Sequence, residues 1–460
     1  MSVANLSGEV MDITNHVAPK VSLSAIKKTN IRWLVVAILF FITIINYADR
    51  ASIALAGPAL AKEFHMDALS MGYIFSAFGW AYVLCQLPGG YLLDRFGSKK
   101  VYAASIFFWS LFTLFQGFVG FLAAGTAVIT LFALRFLVGA SEAPSFPANS
   151  RIVAAWFPAS ERGTASAIFS SGQAAATVFF APLMGWIVFT YGWQYVFIVM
   201  GVLGILFTLF WNKFIHNPKD HPMANEAEIE YITRGGGLVD MDQTKAAGAK
   251  QQGPNLKYVK QLLQNRMMVG IYVAQYCINA TIYFFITWFP VYLVQARGMT
   301  ILKAGFAASV PAIFGFIGGL LGGMLSDYLL KKGYSLTIAR KVPIILGMLL
   351  GTGIIVCNYV DTEWLVIAVM SVAFFGKGLG QLGWTVNSDT APKAIVGLSG
   401  AVLNVAGNLT SIITPIAIGY IIKTTGSFNG ALAFISAHCV VAIVCYLFVV
   451  GEIKRVELKD

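Results

Sequence analysis

The chain has 460 residues, 57% of them hydrophobic and only 12% charged. A soluble domain carries roughly 25% charged residues, so most of this chain is solvated by lipid, and soluble enzymes and nucleic-acid-binding proteins are excluded. The net charge of +11 would suit nucleic acid only if the cations were clustered, and they fall instead between apolar runs.

A spanning helix needs about 20 predominantly apolar residues. The polar segment 1–32 is predicted to be a cytoplasmic tail, and the apolar run after it is too long for a signal-peptide core, so the first helix, 33–60, is expected to be retained. It carries Asp49 and Arg50, whose side chains point about 100° apart on a helix and cannot share one cavity. Arg50 lies on the face of Asn46 and Tyr47, and Asp49 is expected to point toward another helix of the same half. Tyr82 and Gln86 follow on the second helix, which ends in a loop containing Gly90, Asp94, Arg95 and Gly97.

The fourth helix, predicted over 126–150, holds Arg135 and Glu142 seven residues apart, within about 20° of one face. That cation and acid are positioned to compensate Asp49. The fifth helix adds Ser170 and Gln173, and the run 163–212 breaks near Tyr191-Gly192 into the fifth and sixth helices. The first six-helix bundle is thus expected over 33–212, followed by a cytoplasmic linker, 213–266, with Gly-Gly-Gly at 235–237 and a Lys/Gln/Gly-rich stretch near 245–253. His216 and His221 in the linker are read as solvated and not metal-bound.

A second bundle is predicted over 267–451, with a cytoplasmic tail at 452–460. Shifting the chain by 233 residues lays Gly72, Ser76, Gly89, Gly90 and Asp94 on Gly305, Ser309, Gly322, Gly323 and Asp327, so the eighth helix repeats the second. Three polar stripes line this bundle: Tyr276, Asn279, Tyr283 and Thr287 on the seventh helix, Lys377, Gln381, Trp384 and Ser388 on a tenth helix over 364–388, and Asn404, Asn408 and Ser411 on the eleventh. The five cysteines lie in apolar spans without metal-ligand spacing, and neither a cofactor motif nor a nucleophile–base pair accompanies the Asp and Glu within the spans, so an enzyme is not expected. The fold class is therefore all-α integral membrane, with twelve transmembrane helices in two pseudo-symmetric six-helix bundles.

With the N-terminus inside, 25 of the 32 Lys and Arg fall on the cytoplasmic face, 4 on the other and 3 within the spans, which places both termini in the cytoplasm. The intramembrane ionisable residues are Asp49, Arg50, Arg135, Glu142 and Lys377. Each costs at least about 2.5 to 3.5 kcal/mol at a helix centre unless paired or hydrated, so they mark function. The first-bundle set reads as a proton-responsive network, with a static structural clamp as the alternative. Hydroxyls and amides on several helices suit a polyhydroxylated solute. Arg50 and Lys377, one from each half, suit an anion charged at both ends.

The loop Gly90-Tyr-Leu-Leu-Asp94-Arg95-Phe-Gly97-Ser-Lys99-Lys100, together with the degenerate copy Gly323-Met-Leu-Ser-Asp327, resembles the signature loop of the major facilitator superfamily. The segments Asn46-Tyr47-Ala-Asp49-Arg50, Glu142-Ala-Pro-Ser-Phe-Pro147 and Ala155-Trp-Phe-Pro158 are similar to its anion:cation symporter branch. Phe285-Ile-Thr-Trp-Phe-Pro290 and Phe375-Gly-Lys-Gly378 look like the bacterial galactarate/glucarate permeases. This resemblance implies proton-coupled uptake of sugar diacids across the inner membrane by a monomer without cofactors. It also implies a substrate held by Tyr47, Arg50, Tyr82, Gln173, Gln381, Trp384 and Asn404, and protons carried by Asp49 and Glu142 with Arg135 reorganising between them. Lys377 is where the chain departs from the related galactonate permeases, which look to have an uncharged amide there. The loop Gly90, Asp94, Arg95 and Gly97 is expected to latch the halves during conformational change. Glycerate is a further substrate of that reading, and proton-independent exchange or facilitated diffusion of galactonate or hexuronates is the alternative.

Overall fold

The computed structural model describes residues 28–242, 256–392 and 395–458. Lys20, Lys27, Lys245, Lys250, Lys393 and Lys459, counted in the charge distribution, lie outside the described residues, as does the stretch 245–253. Twelve helices are long and apolar enough to cross a membrane. The first six are Ile31–Glu63, Ala68–Phe96, Ser98–Phe121, Ala124–Trp156, Arg162–Tyr191 and Trp193–Phe214. The other six are Arg266–Gln295, Ile301–Lys331, Leu336–Tyr359, Glu363–Thr390, Val396–Thr425 and Asn429–Val449. Helices satisfy every backbone group within the segment, which lipid demands. Polar residues mark where several begin: Asp67, Asn265, Thr300 and Ser335 each accept a backbone N–H from the first turn of the helix they precede.

Three spans are less regular than the sequence predicts. The fourth breaks between Glu142 and Ser145, where Pro144 cannot donate to the helical ladder, so the predicted single helix 126–150 is two segments. The tenth is interrupted between Leu379 and Gly383, so the stripe Lys377, Gln381, Trp384 and Ser388 does not run along one continuous helix. The seventh carries a π-helical turn at Phe284–Trp288, which displaces the residues beyond it relative to a regular helix.

The internal repeat has a structural counterpart. The second and eighth spans begin 233 residues apart, at Ala68 and Ile301. Gly72 packs on the Pro415 carbonyl of the eleventh span, and its repeat mate Gly305 packs on the Ala181 carbonyl of the fifth. Gly89 lies against Pro144 of the fourth span and Gly322 against the Leu379 carbonyl of the tenth, whereas Gly90 and Gly323 both face open space. Each half thus presents the same helix to the other half and to its own interior in the same register.

The halves meet along the end of the bundle away from the described chain ends. Gly79 sits on Ser411, Gly185 on Gly305, and Gly419 on the Ala68 carbonyl, while Phe75 meets Trp288 edge-on at 5.3 Å. Lys423 closes this side with an ion pair to Asp67 at 2.8 Å. That hydrogen bond, with those from the Ser70 backbone and side chain, lowers the Asp67 carboxyl to about 2. Toward the opposite end the second span exposes Leu84, Leu87 and Tyr91, and Gly90 has no neighbour. The molecule is therefore shut on one side and parted on the side of its described chain ends.

The linker is built onto the first half. Glu228, fully buried on the linker helix Glu226–Arg234, accepts the backbone N–H groups of Ile31 and Arg32 at 3.0 and 3.1 Å and the Thr29 hydroxyl at 2.6 Å. It also pairs with the Arg32 guanidinium at 3.0 Å. A linker carboxylate thereby caps the first membrane helix, where its charge meets the positive end of the helix dipole. His221 is not solvated as the sequence reading held: it is buried, edge-on to Trp156 at 5.4 Å. Its Nδ1 accepts the Met223 N–H, so Nε2 carries the hydrogen donated to the Phe214 carbonyl and the ring is neutral. Burial holds its pKa below the ordinary value. His216 is half-buried and likewise lowered by burial.

Candidate substrate and proton site

The ionisable residues of the first half converge in the middle of the bundle. Arg50 points into a box of aromatic rings, with its guanidinium 4.6 Å from the Tyr47 centroid, 4.7 Å from Phe78 and 4.9 Å from Tyr82. Each ring face stabilises the cation electrostatically. Its charge is met by Glu142 of the fourth span through both a hydrogen bond and an ion pair. Glu142 is fully buried and Arg50 nearly so. The sequence reading used Arg135 and Glu142 together to compensate Asp49, but Glu142 faces Arg50 instead. The cause is the 100° step between Asp49 and Arg50, which turns only the arginine toward the fourth-span acid.

Asp49 is fully buried, directed within its own half as expected, and neither carboxylate oxygen accepts a hydrogen bond. The Trp109 indole N–H lies beside it. Arg135 reaches the main chain of the first span, donating to the carbonyls of Asp49 at 3.4 Å and Arg50 at 3.5 Å. Its long bonds and the orphaned Nε hold it loosely. The arrangement is one tight cation–acid pair, one acid without donors and one cation holding only carbonyls.

In the second half Lys377 is buried and donates to Gln381 Oε1 at 2.7 Å, with the ammonium 5.2 Å from the Phe374 ring. Among the described residues no carboxylate lies within ion-pair distance of it. Gln381 lies four residues beyond Lys377, the spacing at which side chains meet on one helix face, so the contact persists beside the break after Leu379. Trp384, on the far side of the break, is 52% exposed. Asn404 is less available than the stripe suggests: its Nδ2 donates to Gln86 of the first half at 3.3 Å, and its Oδ1 accepts from Asn408 at 3.0 Å. Gln173 is half-buried on the fifth span. Tyr283 of the seventh span, which was read only as part of a stripe, donates to Asn408 at 3.4 Å. Phe78 was missed because an apolar residue on a membrane helix announces nothing.

The loop after the second span is fastened, among the described residues, to its own half and to the linker. Asp94 pairs with Arg151, whose other amino group meets Asp242 of the linker at 3.1 Å. Asp242 also accepts the Ser98 N–H at 2.6 Å, capping the third span. Gly97 has a φ of +83°, which gives the chain its reversal there, and Arg95 reaches the Tyr91 hydroxyl at 3.4 Å. These partners of Asp94, Arg95 and Gly97 belong to the first half or the linker, and Gly90 faces open space, so in this conformation the loop latches the linker to its own half.

The model of the Major Facilitator Superfamily matches residues 39–380. The "Probable galactarate/D-glucarate transporter" of Bacillus subtilis (strain 168) is 61% identical over 433 residues, covering 94% of this chain and 95% of that one. The D-galactonate transporter of Escherichia coli O6:H1 (strain CFT073) is 41% identical, covering 95% and 99%. The crystal structure of a D-xylose-proton symporter shares the fold with a TM-score of 0.68 at 14% identity, over 92% of this chain and 98% of that one. With twelve spans, a repeat visible in its glycine contacts and a family match over most of its length, the chain belongs to the Major Facilitator Superfamily.

Proposed function

We propose that this protein imports sugar diacids of the galactarate and glucarate type across the bacterial inner membrane together with protons, by alternating access, with both termini cytoplasmic. The observation that carries the reading is the contrast between two buried cations on opposite halves: Arg50 is neutralised by Glu142, whereas Lys377 has no carboxylate partner among the described residues. A buried cation without an acid is costly, and a substrate carboxylate supplies what is missing. Arg50 offers the second contact only when Glu142 lets go. A proton on Glu142 removes its charge and frees the guanidinium, which the rings of Tyr47, Phe78 and Tyr82 keep aimed at the site. Asp49, buried without a donor, is the second proton carrier, and Arg135 moves between the two acids. Tyr47, Tyr82, Gln173, Gln381 and Trp384 supply hydroxyls, amides and a ring face for the polyol. Asn404 joins them once Gln86 releases it.

The names of two relatives, a probable galactarate/D-glucarate transporter and a D-galactonate transporter, support a sugar acid as the substrate class. On this topology the parted side faces the cytoplasm. A dianion accompanied by two protons moves no net charge, so the membrane potential, worth about 2.3 kcal/mol per charge per 100 mV, has no purchase on uptake.

The test is uptake of labelled galactarate, glucarate and galactonate by the purified protein in liposomes. An inward proton gradient is expected to drive accumulation, while an imposed voltage alone is not. Glu142→Gln should abolish gradient-driven accumulation and preserve substrate counterflow. Uptake indifferent to the proton gradient would instead make the protein an exchanger or facilitator.

A further inference from the structure

The third span, Ser98–Phe121, carries a polar column through the half nearer the sealed side. Trp109, Thr113 and Gln116 recur at i, i+4 and i+7, so they share one face, and Ser110 borders it. All four are fully buried. The hydroxyls of Ser110 and Thr113 and the Gln116 Oε1 have no hydrogen-bond partner among the described residues, and Gln116 Nε2 makes only a long bond to the Phe112 carbonyl at 3.4 Å. Hydroxyls on a membrane helix ordinarily bond back to the carbonyl four residues earlier, as those of Thr43, Ser371 and Thr390 do. Those of Ser110 and Thr113 are left for another partner, and buried polar groups that protein does not pair are the usual seats of ordered water.

The column has a defined end on each side. Inward, the Trp109 indole N–H lies beside Asp49, whose carboxyl is otherwise faced by Arg135 and Glu142 of the fourth span, with Arg50 next to it in sequence. Outward, one turn beyond Gln116, exposed Gly120 lies against exposed Glu63, where a Cβ on the glycine would stand 3.7 Å from Glu63 Oε1. Glu63 Oε2 accepts the Trp193 indole N–H at 2.6 Å, which fixes the carboxylate at this mouth. From Trp109 to Gln116 the helix rises about 10 Å. Successive positions on the face are about 5 to 6 Å apart, twice the length of an O–H···O bond, so one water bridges each step.

We propose that this column is a proton entry route from the sealed side to Asp49, running inside the first half and separate from the path of the sugar acid. The inference rests on the transport reading above and gives its second proton a way in that does not require the halves to part. Each hydroxyl donates one proton as it accepts another from the adjoining water, so a proton taken from solvent beside Glu63 ends on the Asp49 carboxylate. Gln116 and the Trp109 N–H hold the water in place without titrating.

The first experiment is hydroxyl-radical footprinting of the full chain in lipid nanodiscs, read by mass spectrometry. Trp109 is expected to oxidise several-fold faster than Trp211, which is equally buried and bonded to the Lys99 carbonyl. Thr113→Val with Gln116→Leu should bring Trp109 down to the rate of Trp211. In liposomes the same variant should slow galactarate-coupled proton uptake, followed with a pH-sensitive dye, several-fold and leave galactarate counterflow at the parental rate. Thr113→Ser, which keeps the hydroxyl, should retain both rates. Trp109 labelled no faster than Trp211, or parental proton uptake in the doubly substituted variant, would overturn the route alone. Absence of proton uptake by the unaltered protein would overturn the coupling and the route with it.

Discussion

At the scale of single residues, the chemistry of this protein turns on charges separated by one turn of helix or less. Asp49 and Arg50 are adjacent, yet one is buried without a hydrogen bond and the other is boxed by three rings and paired to Glu142. The sequence makes the divergence legible, because adjacent helical positions cannot share a face. The identity of Arg50's partner is not legible, since it depends on how the first and fourth spans are rotated against each other. Lys377 was equally readable as an intramembrane cation, and its bond to Gln381 is the contact expected at i, i+4 spacing, while the break after Leu379 was hidden because no proline marks it. Replacing Lys377 by Asn is expected to weaken galactarate and glucarate binding by at least tenfold, which corresponds to about 1.4 kcal/mol. Galactonate, with one carboxylate, should lose much less. Calorimetric titration of the variant with both classes checks this, and equal losses would show that Lys377 does not pair with a second carboxylate.

At the scale of elements, the twelve spans and their repeat follow from hydropathy and a 233-residue shift, and the structure places the repeated glycines at corresponding contacts. What the pattern conceals are interruptions: Pro144 splits the fourth span, and the tenth and seventh change helical geometry beside the site. The closed seam is made where backbones touch. A Cβ on Gly305 would stand 2.6 Å from the Ala181 carbonyl, so no side chain fits there while the halves are together. Gly305→Leu is therefore expected to favour the alternate conformation, open on the now-sealed side. Spin labels at Lys62 and Thr424 should report a longer distance in the variant than in the parent. The Asp67–Lys423 pair on the same seam does not supply pH sensitivity. A carboxyl lowered to about 2 contributes its stabilisation above its ordinary value of 3.8 and loses it only as pH falls through about 2. Between pH 5 and 8 this contact is constant, which leaves pH dependence to other groups.

For the whole molecule, the division into two halves was readable and the attachment of the linker was not. Glu228 lies 196 residues from Arg32, and nothing in local sequence tells that a linker acid caps the first span. Arg32 also pairs with Glu161, which is lowered below its usual range by hydrogen bonds from Arg32 and Tyr231. Linker, first span and the loop before the fifth span thus form one block. Glu228→Ala removes a fully buried acceptor of several bonds and is expected to destabilise the first half by about 3 kcal/mol, the lower end of the cost of orphaning one partner of a buried pair. A lowered thermal unfolding midpoint in detergent checks this, and Glu228→Gln should recover part of the loss by keeping the acceptor oxygen.

The glycine-faced seam has a mechanical corollary. Surfaces that interlock through long side chains must unpick many rotamers before they separate, whereas carbonyl-to-glycine contacts carry few knobs and little torsional entropy to release. Where glycines face carbonyls the halves can part as smooth plates, so the barrier to swapping sides is concentrated in the few side chains that do cross, Phe75 against Trp288 and the Asp67–Lys423 pair, and in the groups clasped in the middle. On the proposed function, cargo and hydrogen ions decide when that clasp lets go and so set the clock of the cycle.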